Sequence, residues 1–236
     1  MATSPPAVPA RLLCWVLCLV SALLLAAIHL RLLARQPEPA PTVPGASEKT
    51  PYAELAAGGR VRLTCLLGVA AGSAATVMAG PVAPAWLIWG SGGVVLAGVD
   101  AASTWIPRGL TRLVLGELGA ALLLGAALAG EPRLVVGALA GAGGVGGFFW
   151  VVWRAGAGLG FADVRLAVGL GALTGATGAA GTGPAAAVAA VMATAVIGAA
   201  TGIIHAMGST RHGPFPYGPA LWLGAYACLA WPPATP

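Results

Sequence analysis

The chain has 236 residues, 58% of them hydrophobic and only 8% charged, against about 25% charged in an ordinary soluble domain. Twelve basic and seven acidic residues leave a formal net charge of +5. This composition excludes a water-soluble globular domain and describes an integral membrane protein, because runs of about 20 apolar residues match the roughly 30 Å hydrocarbon core of a bilayer.

In chain order, apolar runs predict membrane helices at Leu12 to Leu33, Val61 to Gly80, Ala85 to Val99, Leu110 to Gly130, Leu134 to Trp153, Arg165 to Gly181, Ala185 to Met207 and Gly218 to Trp231. The expected fold class is all-α, a polytopic bundle of about eight transmembrane helices, the third and last of them short. The first run ends in "HLRLLARQ" without a small-x-small cleavage site, so residues 1–35 are expected to stay as an anchor helix and not a removed signal. The proline-rich stretch at 36–60 reads as an extended linker. Residues 61–236 form the membrane-embedded domain.

The basic residues sort by side. Arg31, Arg35, Lys49, Arg60, Arg62, Arg108, Arg112, Arg154, Arg165 and Arg211 all border the odd-numbered connections, and only Arg11 and Arg133 border the even ones. The positive-inside rule then places the odd connections in the cytoplasm and both termini outside. Trp86, Trp89, Trp105, Trp150 and Trp153 fall near predicted span ends, as an interfacial aromatic belt requires.

Thirty-six glycines, in strings such as "GALAGAGGVGG", suit close helix packing, which in lipid replaces the missing hydrophobic drive between helices. "GAGGVGGFFW" is no phosphate loop, since no strand precedes it and no lysine follows. The four cysteines, Cys14, Cys18, Cys65 and Cys228, form no CxxC pair and have no histidine at ligand spacing, so neither a metal nor any other cofactor is expected. No nucleic-acid partner is expected either.

Five of the acids are glutamates, and only two are aspartates, Asp100 and Asp163. Asp100 ends the third predicted span and Asp163 opens the sixth, so both lie at the same border of the membrane. An acid near hydrocarbon is costly and marks a functional candidate. Two carboxylates sharing one proton can hold a water between them, one as base and the other as acid, because their mutual repulsion keeps one ionised and one protonated. Glu117, two turns into the fourth span, is the remaining acid at membrane depth and is expected to hydrogen-bond within the bundle. Arg165, two residues after Asp163, is placed to act on that carboxylate or to anchor its helix at lipid headgroups. His205 and His212 flank the last cytoplasmic loop and are expected to be solvated.

The surroundings of both aspartates resemble those of the prepilin peptidases. "DAASTWIPRGLT" is similar to their first motif, an Asp followed by an aliphatic-Pro pair, here Ile106 and Pro107, and then Leu110. "GLGFADVRLA" is similar to the second, with Gly158, Gly160, Asp163, Val164, Arg165 and Leu166 in the matching places, and "PFPYGPAL" carries Pro216, Tyr217, Gly218 and Pro219 before the last span. The resemblance covers roughly 61–231 and its specificity lies in the combination of the three motifs in order. It implies a fold like that of other intramembrane aspartic proteases, whose signature is Gly-x-Gly-Asp, with Asp100 and Asp163 as the catalytic pair. It also implies that Pro107, Gly160, Ala162, Arg165, Pro216, Gly218 and Pro219 support the site or bind substrate.

The activity implied is endoproteolysis of the short basic leader of pilin-like precursors at the cytoplasmic face of the inner membrane, with those precursors and the lipid bilayer as partners. Alanine stands at 162 where that signature has its second glycine, and no paired CxxC region lies between the first two spans, so N-terminal methylation is not implied. The alternative left open by the residues is a non-catalytic membrane protein, either a pilin-assembly relative or a small transporter.

Overall fold

The structure, a computed structural model, describes residues 8–156, 158–208 and 215–230. Among these residues every regular element is helical. Six helical segments are long and apolar enough to cross a membrane: Ala10–Leu33, Gly59–Met78, Gly80–Ser103, Arg108–Ala129, Arg133–Arg154 and Ala185–Met207.

The leucine- and alanine-rich first run forms α1 (Val8–Leu33). The linker is not extended throughout. A 3-10 turn at Ala46–Glu48 leads to a short helix, α2 (Tyr52–Ala57), whose Tyr52, Leu55 and Ala56 are buried. Its entry is tied down by Glu38, which accepts the Tyr52 N–H at 2.7 Å and pairs with Lys49, while the Lys49 ammonium sits over the Tyr52 ring at 3.4 Å. Fourteen residues of proline-rich chain are thereby closed into a loop by one carboxylate.

Next come α3 (Gly59–Met78) and a single crossing assembled from α4 (Ala83–Ile88), a π-helical turn at Trp89–Gly93 and α5 (Val94–Ser103). Glycine explains the widened turn, because the Cα atoms of Gly72 and Gly90 meet across the α3 interface and a Cβ on Gly90 would lie 2.7 Å from Gly72. This crossing is the most buried of the six. Trp86 and Trp89, read from sequence as interfacial, are 0% and 1% exposed. Each indole N–H finds an acceptor inside the bundle, Thr177 Oγ1 at 3.2 Å and the Trp222 carbonyl at 3.2 Å. That satisfaction is what permits an indole to leave the membrane border; Trp150, by contrast, is exposed.

The remaining helices are α6 (Arg108–Ala129), α7 (Arg133–Arg154), α8 (Phe161–Thr177), α9 (Ala185–Gly208) and α10 (Gly218–Gly224). A π-helical turn at Gly178–Thr182 ends α8, and a 3-10 turn at Ala225–Cys228 ends the last segment. With 17 and 7 residues, α8 and α10 are shorter than the six crossing helices. The tightest helix pair is α7 with α8, where Gly137 and Gly141 lie on the backbone of Gly175 and Gly171 with no room for a Cβ on either side. This is the small-residue packing expected of helices in lipid.

Candidate active site

Asp100 lies one turn before the end of α5, and Asp163 is the third residue of α8; they are 4% and 6% exposed. Trp86 meets Thr177 and Trp89 lies beside Gly169, so α8 runs antiparallel to the α4–α5 crossing, and the C-terminus of α5 shares one end of the bundle with the N-termini of α8 and α10. α10 packs on both α5 and α8 and so sits against the two acid-bearing helices. Asp163 is near enough for its charge to act on both Asp100 and Tyr217.

Each carboxylate is held by one oxygen. Asp100 Oδ2 accepts the Gly218 N–H at 2.7 Å, and Asp163 Oδ2 accepts the Gly160 N–H at 2.9 Å. The second contact is a capping interaction at the start of α8, where an acid is favoured because the first N–H groups of a helix have no internal partner. The other oxygen of each acid has no hydrogen bond to the described residues. Two buried carboxylates, each oriented through a single oxygen, retain lone pairs with which to hold a water and exchange a proton.

The local sequence explains these placements. Thr104 closes α5 in the left-handed region at φ 57°, with its N–H donated to the Asp100 carbonyl at 2.7 Å, which turns the chain sharply after the acid. Buried Pro107, extended, then caps the start of α6, where its missing N–H costs nothing. Gly160 is extended at φ −79°, ψ 154°, and Ala162 lies within the helical first turn of α8. Ala162 therefore occupies ordinary helical backbone, where an added methyl group is not strained. Pro216 and Tyr217 lead into α10, Gly218 is its first residue, and Pro219 falls in its first turn. Gly218 has no room for a side chain, since a Cβ there would lie 2.8 Å from Asp100 Oδ2. Tyr217 stacks on Phe149 of α7 at 6.0 Å and reaches α9 through the Thr194 carbonyl at 3.4 Å.

Arg165 is not brought to the pair. It makes no ion pair with Asp163; its guanidinium faces the Phe161 ring at 5.8 Å, the charges of Arg108 and Arg112 act on it, and its Nε is buried without a partner among the described residues. His205 lies 5.9 Å from the Phe215 ring, and His212 lies outside the described residues. Among the described residues no three His, Cys, Asp or Glu side chains converge as metal ligands would.

Glu117 makes the hydrogen bond within the bundle that the sequence led us to expect, but with a partner the sequence did not name. His29, fully buried on α1, bonds through Nε2 to Glu117 Oε2 of α6 at 2.8 Å. The signal was present as a lone histidine inside an otherwise apolar anchor, opposite a lone glutamate inside an apolar span. Sequence distance hid it, because 88 residues separate the two.

Comparison with protein-family models, with curated proteins and with solved structures returned no match to this chain.

Proposed function

We propose that this protein is a membrane aspartic endopeptidase of the prepilin peptidase kind, with Asp100 and Asp163 as its catalytic residues. The observation that carries the reading is the placement of the chain's only two aspartates, both buried, on α5 and α8 where these two helices meet α10. The three motifs of the resemblance fall around that meeting point, since Pro107 caps the helix after Asp100, Gly160 caps the helix of Asp163, and Gly218 binds Asp100.

In this reading the pair holds one proton and a water. The ionised carboxylate takes a proton from the water as its oxygen bonds to the scissile carbonyl carbon, and the protonated partner gives its proton to the departing amide nitrogen as the C–N bond breaks. The proton count of the pair is restored at the end of the cycle. α8 and α10 complete an eight-helix arrangement in the inner membrane with the acids facing the cytoplasm, which supplies the ten-to-two division of basic residues with its reason. The substrate is a precursor whose short basic leader lies at that face and whose apolar helix begins just after the cut.

The test is cleavage of a pilin-like precursor by purified Asp100→Asn and Asp163→Asn protein, followed by mass spectrometry. Each variant keeps the shape and the backbone hydrogen bond but not the titrating proton, so both should insert normally and lose cleavage. The double variant should be no worse than either single one, as for residues that act as a unit. Cleavage at the parental rate by well-inserted Asp163→Asn protein would reject the protease.

A further inference from the structure

Away from the acids, a groove of about 530 Å³ runs between α1 and α3 and is closed at one end by α2. Leu23 and Val69 line its inner part, while Arg31 of α1 and Arg62 of α3 line its outer part. Along α1 the groove runs from Leu23 to Ala34, and the helical rise of 1.5 Å per residue makes it about 16 Å long. Apart from the two arginines and Cys65, its walls are alanine, leucine and valine. The groove is therefore amphipathic along its length, apolar where the bilayer is apolar and cationic at the membrane border.

Among the described residues these two arginines have no counter-ion. All seven acids of the chain are described. Glu38 pairs with Lys49, Glu117 with His29 and Glu131 with Arg133, the aspartates are bound by backbone N–H groups, and Glu48 and Glu54 make no ion pair among the described residues. Arg62 donates its Nε to the Ala56 carbonyl at 3.2 Å, which fixes the guanidinium against α2 and leaves its Nη groups for another acceptor. Two guanidiniums at the mouth of an apolar slot select an anion with a hydrocarbon tail. A phosphodiester is matched best, since a planar guanidinium binds two of its oxygens at once.

We propose that this groove binds one acidic glycerophospholipid, with an acyl chain between α1 and α3 and its phosphate between Arg31 and Arg62. The roof over the mouth is α2, held by the Glu38, Lys49 and Tyr52 contacts, so the linker helix serves as the wall that keeps the headgroup in place. The site requires only the groove and its arginines and is independent of any catalysis at the aspartates.

The experiment is native mass spectrometry of the purified, delipidated full-length chain titrated with phosphatidylglycerol or phosphatidylcholine. One phosphatidylglycerol should be retained on the order of twentyfold more tightly, since each arginine near a headgroup contributes about a fivefold preference. Arg31→Gln and Arg62→Gln should each lower that preference about fivefold. Arg31→Lys and Arg62→Lys, which keep the charge but lose the two-oxygen contact, should fall between the parent and the glutamine variants, which separates lost charge from lost fold. Ala27→Phe, on the exposed lip of the groove, should weaken both lipids by filling the slot. Arg133→Gln, at the opposite end of the bundle, should change nothing. Equal retention of the two lipids, or parental preference in Arg31→Gln and Arg62→Gln, would overturn the proposal. Displacement of the lipid by soluble glycerol phosphate would assign the arginines to a free phosphate and overturn the lipid. Saturation of the groove by an apolar helical peptide, unaffected by Arg31→Gln, would overturn it in favour of a peptide.

Discussion

The backbone N–H of Gly218 meets Asp100 Oδ2 at 2.7 Å across 118 residues of chain. This contact joins the last helix to the first aspartate, and it tolerates no side chain, because a Cβ on Gly218 would lie 2.8 to 2.9 Å from Asp100 atoms. Gly218→Ala should displace the Asp100 carboxylate and lower precursor cleavage by tenfold or more, with insertion unchanged. Gly116→Ala, which meets open space, is the matched control. The check is the cleavage rate of both proteins at equal amounts in the membrane; parental rates for Gly218→Ala would show that the contact does not position the acid.

The His29 and Glu117 pair ties the anchor helix to the bundle. Removing one partner leaves the other without its hydrogen bond, at a cost of about 1 to 3 kcal/mol. Glu117→Ala and His29→Leu should each destabilise the protein by that order in equilibrium unfolding from mixed micelles. The double variant should cost less than the sum of the two. Additive losses would mean that the two side chains act separately.

The α7 and α8 interface sets a sharper contrast between glycines of one helix. Gly141→Ala would drive its methyl group into the carbonyl of Gly171, an overpacking of about 1 to 3 kcal/mol. Gly143→Ala and Gly147→Ala meet open space on the same helix and should be neutral or slightly stabilising. Unfolding midpoints of the three variants, measured side by side, decide this; equal midpoints would contradict the packing.

The linker should loosen in acid. Partial burial alone would raise the Glu38 pKa, but the Lys49 hydrogen bond, the Tyr52 N–H and the Lys49 charge outweigh it and hold the carboxyl below its ordinary value. A lowered folded-state pKa contributes order that is present above the ordinary glutamate value and is lost as pH falls through the folded one. Hydrogen exchange in residues 46–57, corrected for intrinsic rates, should be slow near neutral pH and faster once the pH is below the ordinary glutamate value of about 4.3. Lys49→Ala should reproduce the fast exchange at neutral pH. Unchanged protection in acid would remove Glu38 from its role.

What the sequence determined by itself was everything that follows from local composition. Of the eight apolar runs marked in the sequence, six form helices long and apolar enough to cross a membrane, because a buried backbone must satisfy its own hydrogen bonds wherever it lies. The isolation of two aspartates in a chain with so few charges, and their place at helix ends of the same side, needed no structure either.

Tertiary packing decided the rest. The sequence marked Arg165 as a neighbour of Asp163, but a separation of two residues on a helix does not place side chains on one face, and the Arg165 guanidinium faces the Phe161 ring instead. Trp86 and Trp89 read as belt residues until the acceptors on α8 and α10 drew their indoles inward. Glu38, inside a stretch whose prolines read as an extended linker, closes that stretch into a folded loop. His29 with Glu117, and Gly218 with Asp100, are separated by 88 and 118 residues. No periodicity records such pairings, because they arise only when the small residues of the helices have set how closely the backbones approach.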